Sequence, residues 1–122
     1  MKNVLRLGLL ALATFLFTIS HSATITSTGD GDWEDTGSWD LARVPTNGDL
    51  IVISAGHTIT MTTNNATCDG APATQVIVSG VLAFNNGAKL NLGCGSIIIV
   101  KTGGLIDGGS GGGASKKIFI CA

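Results

Sequence analysis

The feature that most constrains this chain is a segment that recurs three times at a spacing of about two dozen residues. The copies read DLIVISAGHTITM, TQVIVSGVLAFNN and IIIVKTGGLIDGG, and each joins an apolar strand through a glycine corner to a second short strand. Repetition at such a period is typical of stacked units that share one continuous core. Two sets of positions share one constant interval, the corner glycines Gly56, Gly80 and Gly104 and the valines Val52, Val76 and Val100.

Each copy predicts one coil of a parallel β-solenoid. Valine, isoleucine and threonine suit pleated strands, and the 18 glycines suit the corners between them. An antiparallel sandwich is the alternative, because it also combines short strands with regular turns. Long connections such as TTNNATCDGAPAT and the lack of two-residue hairpin signals favour the solenoid. We therefore expect an all-β fold, a short right-handed parallel β-solenoid of three to four coils.

The first residues predict a secretory signal peptide. Lys2 and Arg6 give the start of the chain a positive charge, and residues 5–19 form a mostly apolar run. Small residues at 20–23 suit a signal peptidase, with cleavage expected after Ser22 or one residue later. A membrane anchor is the alternative, but the run is shorter than the ~20 apolar residues that span a bilayer. We expect a secreted or cell-surface protein that is not inserted in the membrane after cleavage.

The chain then divides into three parts: a signal peptide at 1–22, an N-terminal cap region at 23–49 and solenoid coils at 50–122. A solenoid exposes its core at each end, so the ends need covers. Trp33 and Trp39, the only tryptophans, lie in the cap region beside the turn VPTNGD. We expect the two indoles to cover the first coil, and stacking on a sugar ring is the alternative.

The stretch WEDTGSWDLARVPTNGDLIVISAGHTITM resembles the start of G8-like domains. It is most similar to the N-terminal module of secreted right-handed β-helix surface proteins of the Bacteroidetes type, and the similarity covers Gly31 to about Thr62. The resemblance implies a surface-exposed β-helix, and the motif carries no catalytic residues that transfer to this chain. The matching positions are Trp33, Trp39, Val44, Pro45, Gly48, Asp49, Ile51, Ile53, Gly56, Ile59 and Met61.

Two features of the sequence are candidates for a chemical role, an acidic stretch and a histidine. The acidic stretch GDGDWED places oxygen ligands on a glycine-rich loop, which suits calcium, and makes Asp30, Asp32 and Asp35 calcium candidates. The stretch lacks the EF-hand ligand order, so a solvated acidic loop is the alternative. His57 is the only histidine after the leader, and no serine or cysteine is paired with it in the sequence. We expect a structural role for His57 and predict no catalytic residue and no cofactor.

Three cysteines follow the leader: Cys68, Cys94 and Cys121. Export makes a disulfide permissible. An odd count leaves one cysteine over, for a partner chain or as a free thiol. Their spacings match no metal motif, and the pairing stays open at this point.

Charge is uneven along the chain. Six acids against one arginine lie between Asp30 and Asp49, whereas four lysines against one aspartate lie between Lys89 and the end. The overall charge of −1 gives no reason to expect nucleic-acid binding. An acidic front and a basic rear favour the meeting of two copies.

These observations predict an exported, non-enzymatic structural or adhesive element of the cell surface. Uncapped solenoid ends invite edge pairing. We expect copies to stack head-to-tail into filaments, through the C-terminal strand and Cys121. Two alternatives remain open. One is the N-terminal piece of a larger secreted carbohydrate-active enzyme or adhesin. The other is a carbohydrate-binding module that stacks Trp33 and Trp39 on surface glycans.

Overall fold

The computed structural model describes residues 23–109 and 117–121, and these residues form a parallel β-solenoid of about four coils. The predicted signal peptide lies outside the described residues. Within them, no helix has the length and apolar character needed to cross a membrane. The prediction of an all-β parallel solenoid is confirmed, and the antiparallel sandwich is excluded.

Eleven short strands make up the described part of the chain. The first coil also contains one 3-10 helix at Thr36–Ser38, the only helix in the described residues. The strands are β1 (Thr24–Thr26), β2 (Gly31–Asp32), β3 (Leu50–Ile53), β4 (Thr58–Met61), β5 (Asn64–Cys68), β6 (Gln75–Val78), β7 (Val81–Phe84), β8 (Lys89–Leu92), β9 (Ile97–Val100), β10 (Leu105–Asp107) and β11 (Ile118–Ile120).

The strands stack into three sheets that run along the solenoid. Their orders are β1-β3-β6-β9, β2-β4-β7-β10 and β5-β8-β11, and every pair within them is parallel. Each coil therefore contributes one strand to each sheet, except that the first coil reaches the third sheet as a loop. The first coil forms the front of the solenoid, and β9, β10 and β11 form the rear.

The core is a set of columns made by the inward residues of successive coils. Alternate residues of β3, β4, β6, β7 and β8 are buried, as expected for strands with one face in a core. One column runs through Ile25, Ile51, Val76 and Ile98, which are paired in register. Because each residue stacks on a similar one, the apolar column is continuous from the first coil to the last.

The predicted common interval is correct on average, but the alignment of the valines is wrong. Val76 pairs with Ile51 and Ile98, whereas Val52 pairs with Ile77. The reason lies in the corners. The corner from β5 to β6 has six residues (69–74) and that from β8 to β9 has four (93–96), and β5 is one residue longer than β8, whereas the differences at the other two corners cancel. The buried columns set the register, and the corners absorb the difference in length.

Two of the predicted corner glycines are required by close packing of one coil on the next. A Cβ on Gly80 would overlap the carbonyl oxygens of Ser54 and His57, and one on Gly104 would overlap the carbonyl oxygen of Val78. Both positions lie just before paired residues of β7 and β10. Gly56 lies at the same corner but one residue out of step, because Thr58 pairs with Val81.

Candidate functional site

The front edge of the solenoid is covered by its own chain. The main-chain N–H of Thr26 donates to Asp40 Oδ1 (2.9 Å), and the N–H of Asp40 donates back to the carbonyl oxygen of Thr26 (3.0 Å). Beside them, Ser27 and Trp39 form an isolated antiparallel bridge. The main-chain groups on the outer edge of β1 are thus hydrogen-bonded where the strand meets residues 38–40. We call residues 33–49, which include this cover, the front segment.

The two tryptophans lie inside the protein. Trp33 is 0% exposed and Trp39 is 2% exposed. Their rings meet edge to face with centroids 5.2 Å apart, and Trp39 Nε1 donates to the carbonyl oxygen of Trp33 (3.0 Å). Stacking on a sugar needs an open ring face, and these buried rings do not offer one, so the structure disfavours the alternative of glycan stacking by Trp33 and Trp39. Burial at this end is what a cover requires, and the cover role of the indoles stays a prediction.

The carboxylate of Asp49 closes the turn of the front segment. It accepts two N–H groups of the Arg43 guanidinium (Nη1–Oδ2 2.7 Å and Nη2–Oδ1 3.0 Å) and the main-chain N–H of Thr46 (2.9 Å). Burial alone would raise the pKa of Asp49, but the hydrogen bonds and charge of Arg43 and the N–H of Thr46 outweigh it and lower that pKa. The hydrogen bond with Asp49 in turn raises the pKa of Arg43. Asp49 is therefore a fixed anion.

The same turn is hydrogen-bonded to the second coil. The carbonyl oxygen of Pro45 accepts from Thr67 Oγ1 (2.7 Å), and Asn47 Oδ1 accepts from the main-chain N–H of Gly70 (2.9 Å). Side-chain and main-chain groups of the turn thus take the place of the strand that the first coil lacks in the third sheet.

Gly48 and Asp49 are adjacent positions of the match to G8-like domains, and the backbone at Gly48 favours glycine. Its φ is +82°, a left-handed conformation that favours glycine, and a Cβ would lie 2.5 Å from Pro72 Cγ. Its N–H donates to Thr74 Oγ1 (3.1 Å). The packing and hydrogen bonds of this turn thus account for Gly48 and Asp49.

Glu34 joins the first coil to the second. Its carboxylate accepts from the hydroxyls of Thr62 and Thr63 (both 2.9 Å) and from the main-chain N–H groups of the same two residues (3.1–3.3 Å). Burial acts to raise the pKa of Glu34, but the hydrogen bonds from Thr62 and Thr63 prevail and lower it. No pattern in the sequence signals this contact, because its partners lie 28 and 29 residues away.

The calcium candidates are used as acceptors for main-chain N–H groups. Asp30 Oδ1 accepts from the N–H of Thr58 (2.7 Å), and Asp35 Oδ1 accepts from the N–H of Gly37 (2.9 Å) at the start of the 3-10 helix. In residues 23–109 and 117–121, no group of three or more histidine, cysteine or acidic side chains is placed to hold a metal ion. The structure therefore does not bring Asp30, Asp32 and Asp35 together as a calcium site.

His57 has a partner that the sequence did not reveal. Its Nδ1 lies 2.8 Å from Ser27 Oγ, 30 residues earlier in the chain. Ser27 Oγ also accepts the main-chain N–H of Ser54 (3.0 Å), and Ser27 is only 4% exposed. The hydroxyl is enclosed and already has two partners, so a substrate has no approach to it. The pair joins the first coil to the corner of the second, and this agrees with a structural role for His57.

Two of the three cysteines form a disulfide. Cys94 and Cys121 are bonded, with their Cα atoms 4.5 Å apart, so the bridge fastens the residue after β11 to the corner after β8. Cys121 is thus committed within the chain and is not the site of a covalent link to a neighbour. Cys68 is a buried free thiol, and burial raises its pKa to about 11. It is therefore an unreactive core residue at neutral pH.

The rear of the solenoid differs from the front. Large apolar side chains that are inaccessible in the inner coils are open in the last one: Val100 is 46% exposed and Ile120 is 43% exposed, whereas their in-register partners Val78 and Leu92 are 0% and 2% exposed. The strands β9, β10 and β11 each end their sheet, so one edge of each has no strand partner among the described residues. We call this surface the rear face. Its exposed side chains are Val100 and Ile120, whereas the exposed Ile97, Leu105 and Phe119, in register with Gln75, Val81 and Asn91, lie on the outer faces of the three sheets beside it.

A charged rim borders the rear face. Lys89 Nζ lies 5.5 Å from the centroid of the Phe119 ring, and Lys117 Nζ donates to the carbonyl oxygen of Asn85 (3.3 Å). Lys101 and Asp107 are exposed at the corner and the strand of the same coil. The rear face therefore combines an apolar centre with unpaired strand edges, and it is the candidate functional site of the described residues.

Comparison with known families agrees with this architecture. The family model described as the G8 domain matches residues 38–121. The chain belongs to the G8 domain family. No curated protein and no solved structure matches the chain. The G8 match begins within the front segment and runs through all later strands, so it includes the turn closed by Asp49 and the disulfide at the rear.

Proposed function

We propose that the chain is an exported, non-enzymatic structural element of the cell surface that acts through its rear face. The observation that carries the proposal is the uneven exposure of apolar side chains. Of the six large apolar side chains that are exposed in the described residues, five belong to the last coil, and only Leu41 lies elsewhere. Exposed apolar patches of this kind mark interaction surfaces.

The energetics support contact with another molecule. Full burial of one large apolar side chain contributes about 1.5–3 kcal/mol, and Val100 and Ile120, the inward-facing side chains of the rear face, are roughly half exposed, so covering them contributes roughly 1–3 kcal/mol. Hydrogen bonds to the three strand edges add about 0.5–1.5 kcal/mol each. Association costs at least about 4 kcal/mol. Covering the rear face is thus favourable only when both the side chains and the strand edges are satisfied, which a flat β edge achieves best.

Two observations support export and a non-enzymatic role. A disulfide such as Cys94–Cys121 persists in oxidising compartments. Ser27, whose hydroxyl lies 2.8 Å from His57 Nδ1, and the free thiol of Cys68 are both buried. The full chain, expressed with its leader, should appear outside the cytoplasm with its N-terminus at residue 23 or 24 by mass spectrometry. Retention of the leader inside the cell, with all three thiols free, would contradict export.

The role of the rear face is tested with charged substitutions. Val100→Lys and Ile120→Lys place a charge in the apolar centre, and Leu41→Lys is the matched control, because Leu41 is 44% exposed and lies in the front segment. We expect self-association of the exported chain, measured by sedimentation velocity, to weaken with the two rear variants. Unchanged sedimentation of both rear variants would overturn the proposed role of this face.

The same asymmetry also suits the front piece of a larger secreted adhesin or carbohydrate-active enzyme. In that case, a further coil of the same polypeptide would lie on the rear face. Sequencing of the transcript beyond the codon for Ala122 separates the two: a continuing reading frame with the same strand pattern supports this second role, and a stop codon favours the first.

A further inference from the structure

We propose that the partner of the rear face is the rear face of a second copy, so that two chains form a closed rear-to-rear dimer. The inference rests on the proposed function, because it names the molecule that the rear face contacts. It differs from the head-to-tail filament expected from the distribution of charge along the sequence. Two properties of the structure favour it, the state of the front edge and the geometry of β9, and the area of the face sets how strong the contact can be.

The front edge is poorly suited to receive the rear edge of another copy. In a head-to-tail stack, β1 would pair with β9 of the next molecule. The N–H and carbonyl groups of Thr26 that point to the front are already bonded to Asp40, and the N–H of Thr28 donates to the carbonyl oxygen of Ser38 (3.0 Å). Strand addition at the front would first have to displace these bonds, whereas no residue of 23–109 or 117–121 is bonded to the rearward main-chain groups of β9.

The geometry of β9 suits pairing with its own copy. The N–H groups of Ile97 and Lys101 donate to the preceding coil, so the main-chain groups of the alternate residues Ile98 and Val100 point to the rear. A two-fold axis perpendicular to the solenoid sets the facing strands antiparallel and makes the contact isologous. If the axis passes at Ile99, Ile98 of one copy faces Val100 of the other. All the rearward groups of β9 are then paired, in the alternation that antiparallel strands require.

The charges of the rear oppose this arrangement only weakly. The last coil carries two lysines, Lys101 and Lys117, and one aspartate, Asp107, within its described residues. Exposed charges of this kind are screened over ~8–10 Å at physiological ionic strength. The acidic front attracts a basic rear by the same screened interaction. Charge therefore steers the approach of two copies, whereas the strand edges and apolar side chains decide which surfaces remain in contact.

The area of the rear face predicts a weak dimer that depends on concentration. One coil takes roughly two dozen residues, because Ile51 pairs with Val76 and Val76 pairs with Ile98. At ~3.3 Å per residue the perimeter of a coil is roughly 80 Å, and its triangular cross-section is on the order of 300 Å². Two such faces lie below the ~1,200 Å² of standard specific interfaces. We therefore expect a Kd of roughly 10 µM to 1 mM.

The experiment combines sedimentation with a reporter at the proposed axis. Sedimentation of the exported full chain should show a monomer–dimer equilibrium that ends at two copies. Val100→Lys and Ile120→Lys should each raise the Kd at least ~10-fold, with Leu41→Lys unchanged. The reporter is Ile99→Cys: antiparallel partners that are not hydrogen-bonded to each other lie ~4.5 Å apart at Cα, within the range of a disulfide. Mild oxidation should therefore link two copies of this variant.

The possible outcomes separate the dimer from the broader proposal. Linking of Ile99→Cys to itself, with a limit of two copies, supports the rear-to-rear contact. An open series of oligomers that weakens with Leu41→Lys as well as with the rear variants overturns the dimer. In that case, the role of the rear face stands and the filament replaces the dimer. A chain that stays monomeric at 1 mM, with no link through residue 99, overturns the dimer and also removes self-association from the proposed function.

Discussion

The substitution Arg43→Met tests whether the Asp49 anion holds the front segment in place. The variant keeps the length of the side chain and removes both N–H groups that Asp49 Oδ1 and Oδ2 accept. Removing one partner of a buried ion pair costs about 3–5 kcal/mol. The cost is smaller here, because the Arg43 side chain is 37% exposed and water screens the pair. Asp49 also keeps the N–H of Thr46. We expect the free energy of unfolding to fall by about 2 kcal/mol at neutral pH.

The pH dependence of this effect follows from the pKa of Asp49. In the native protein this pKa is lowered. The stabilisation is therefore fully present above the unfolded-state pKa of about 4 and is lost as the pH falls through the lower folded-state value. In Arg43→Met, burial is no longer opposed by the guanidinium, so the pKa of Asp49 rises relative to the native protein. The stability difference between the two proteins should therefore shrink between pH 5 and pH 3.

The assay uses the two tryptophans as reporters. Both are buried, so urea unfolding followed by their fluorescence reports on the front of the core. A loss of about 2 kcal/mol corresponds to a Tm lower by roughly 8–16 °C for a domain of this size. The double variant Arg43→Met with Asp49→Asn is the control, because it also removes the unpaired charge and should recover part of the loss. A difference below about 0.5 kcal/mol at pH 7, or one that grows on acidification, would refute the reasoning.

Four further predictions follow from the contacts described above. Glu34→Gln should lower the free energy of unfolding by about 1–2 kcal/mol at pH 7, and urea titrations should show this difference fading below about pH 4, because the lowered pKa of Glu34 makes its stabilisation vanish in acid. Gly80→Ala should cost at least about 2 kcal/mol, because its Cβ meets carbonyl oxygens, whereas Gly29→Ala, with nothing within 4 Å, should cost less than about 1 kcal/mol in the same thermal melts. Reduction of Cys94–Cys121, which closes a loop with a sequence separation of 27, should lower stability by about 3–4 kcal/mol and raise hydrogen exchange in β11; unchanged exchange there would contradict the bridge. Cys68 should react with a maleimide at pH 7 only after unfolding, and rapid labelling of the native protein would show that the thiol is not enclosed.

The repeating pattern was sufficient to predict the architecture. Alternation of apolar residues and a common period specify parallel coils, because each inward residue must lie on a similar one. The period does not specify register, because corners of six and four residues join equivalent strands. The pairing Val52–Val76 was therefore wrong by one position, although both residues lie in paired strands.

The contacts between coils could not be read from the sequence. Glu34 meets Thr62 and Thr63, and Ser27 meets His57, only after the stacking has brought residues about 30 positions apart to the same corner. No local motif encodes such a contact, since neither partner is unusual in its own segment. The sequence likewise allowed any pairing of the three cysteines, and only the stacking of coils three and four selects one. For the two tryptophans, the sequence alone left two roles open: an inward role as a cover and an outward role in stacking on a sugar.

The unequal corners have a practical consequence. The passage from the first sheet to the second takes four residues at 54–57 and two at 79–80, yet the strands on either side remain in register. Residues can therefore be inserted at this corner without disturbing the strand pairing of the neighbouring coil. Such a site suits the display of a foreign peptide epitope or an affinity tag. The tip between Ala55 and Gly56 is the natural place for a first graft, since both residues are exposed and Gly56, whose φ of +81° favours glycine, can be kept.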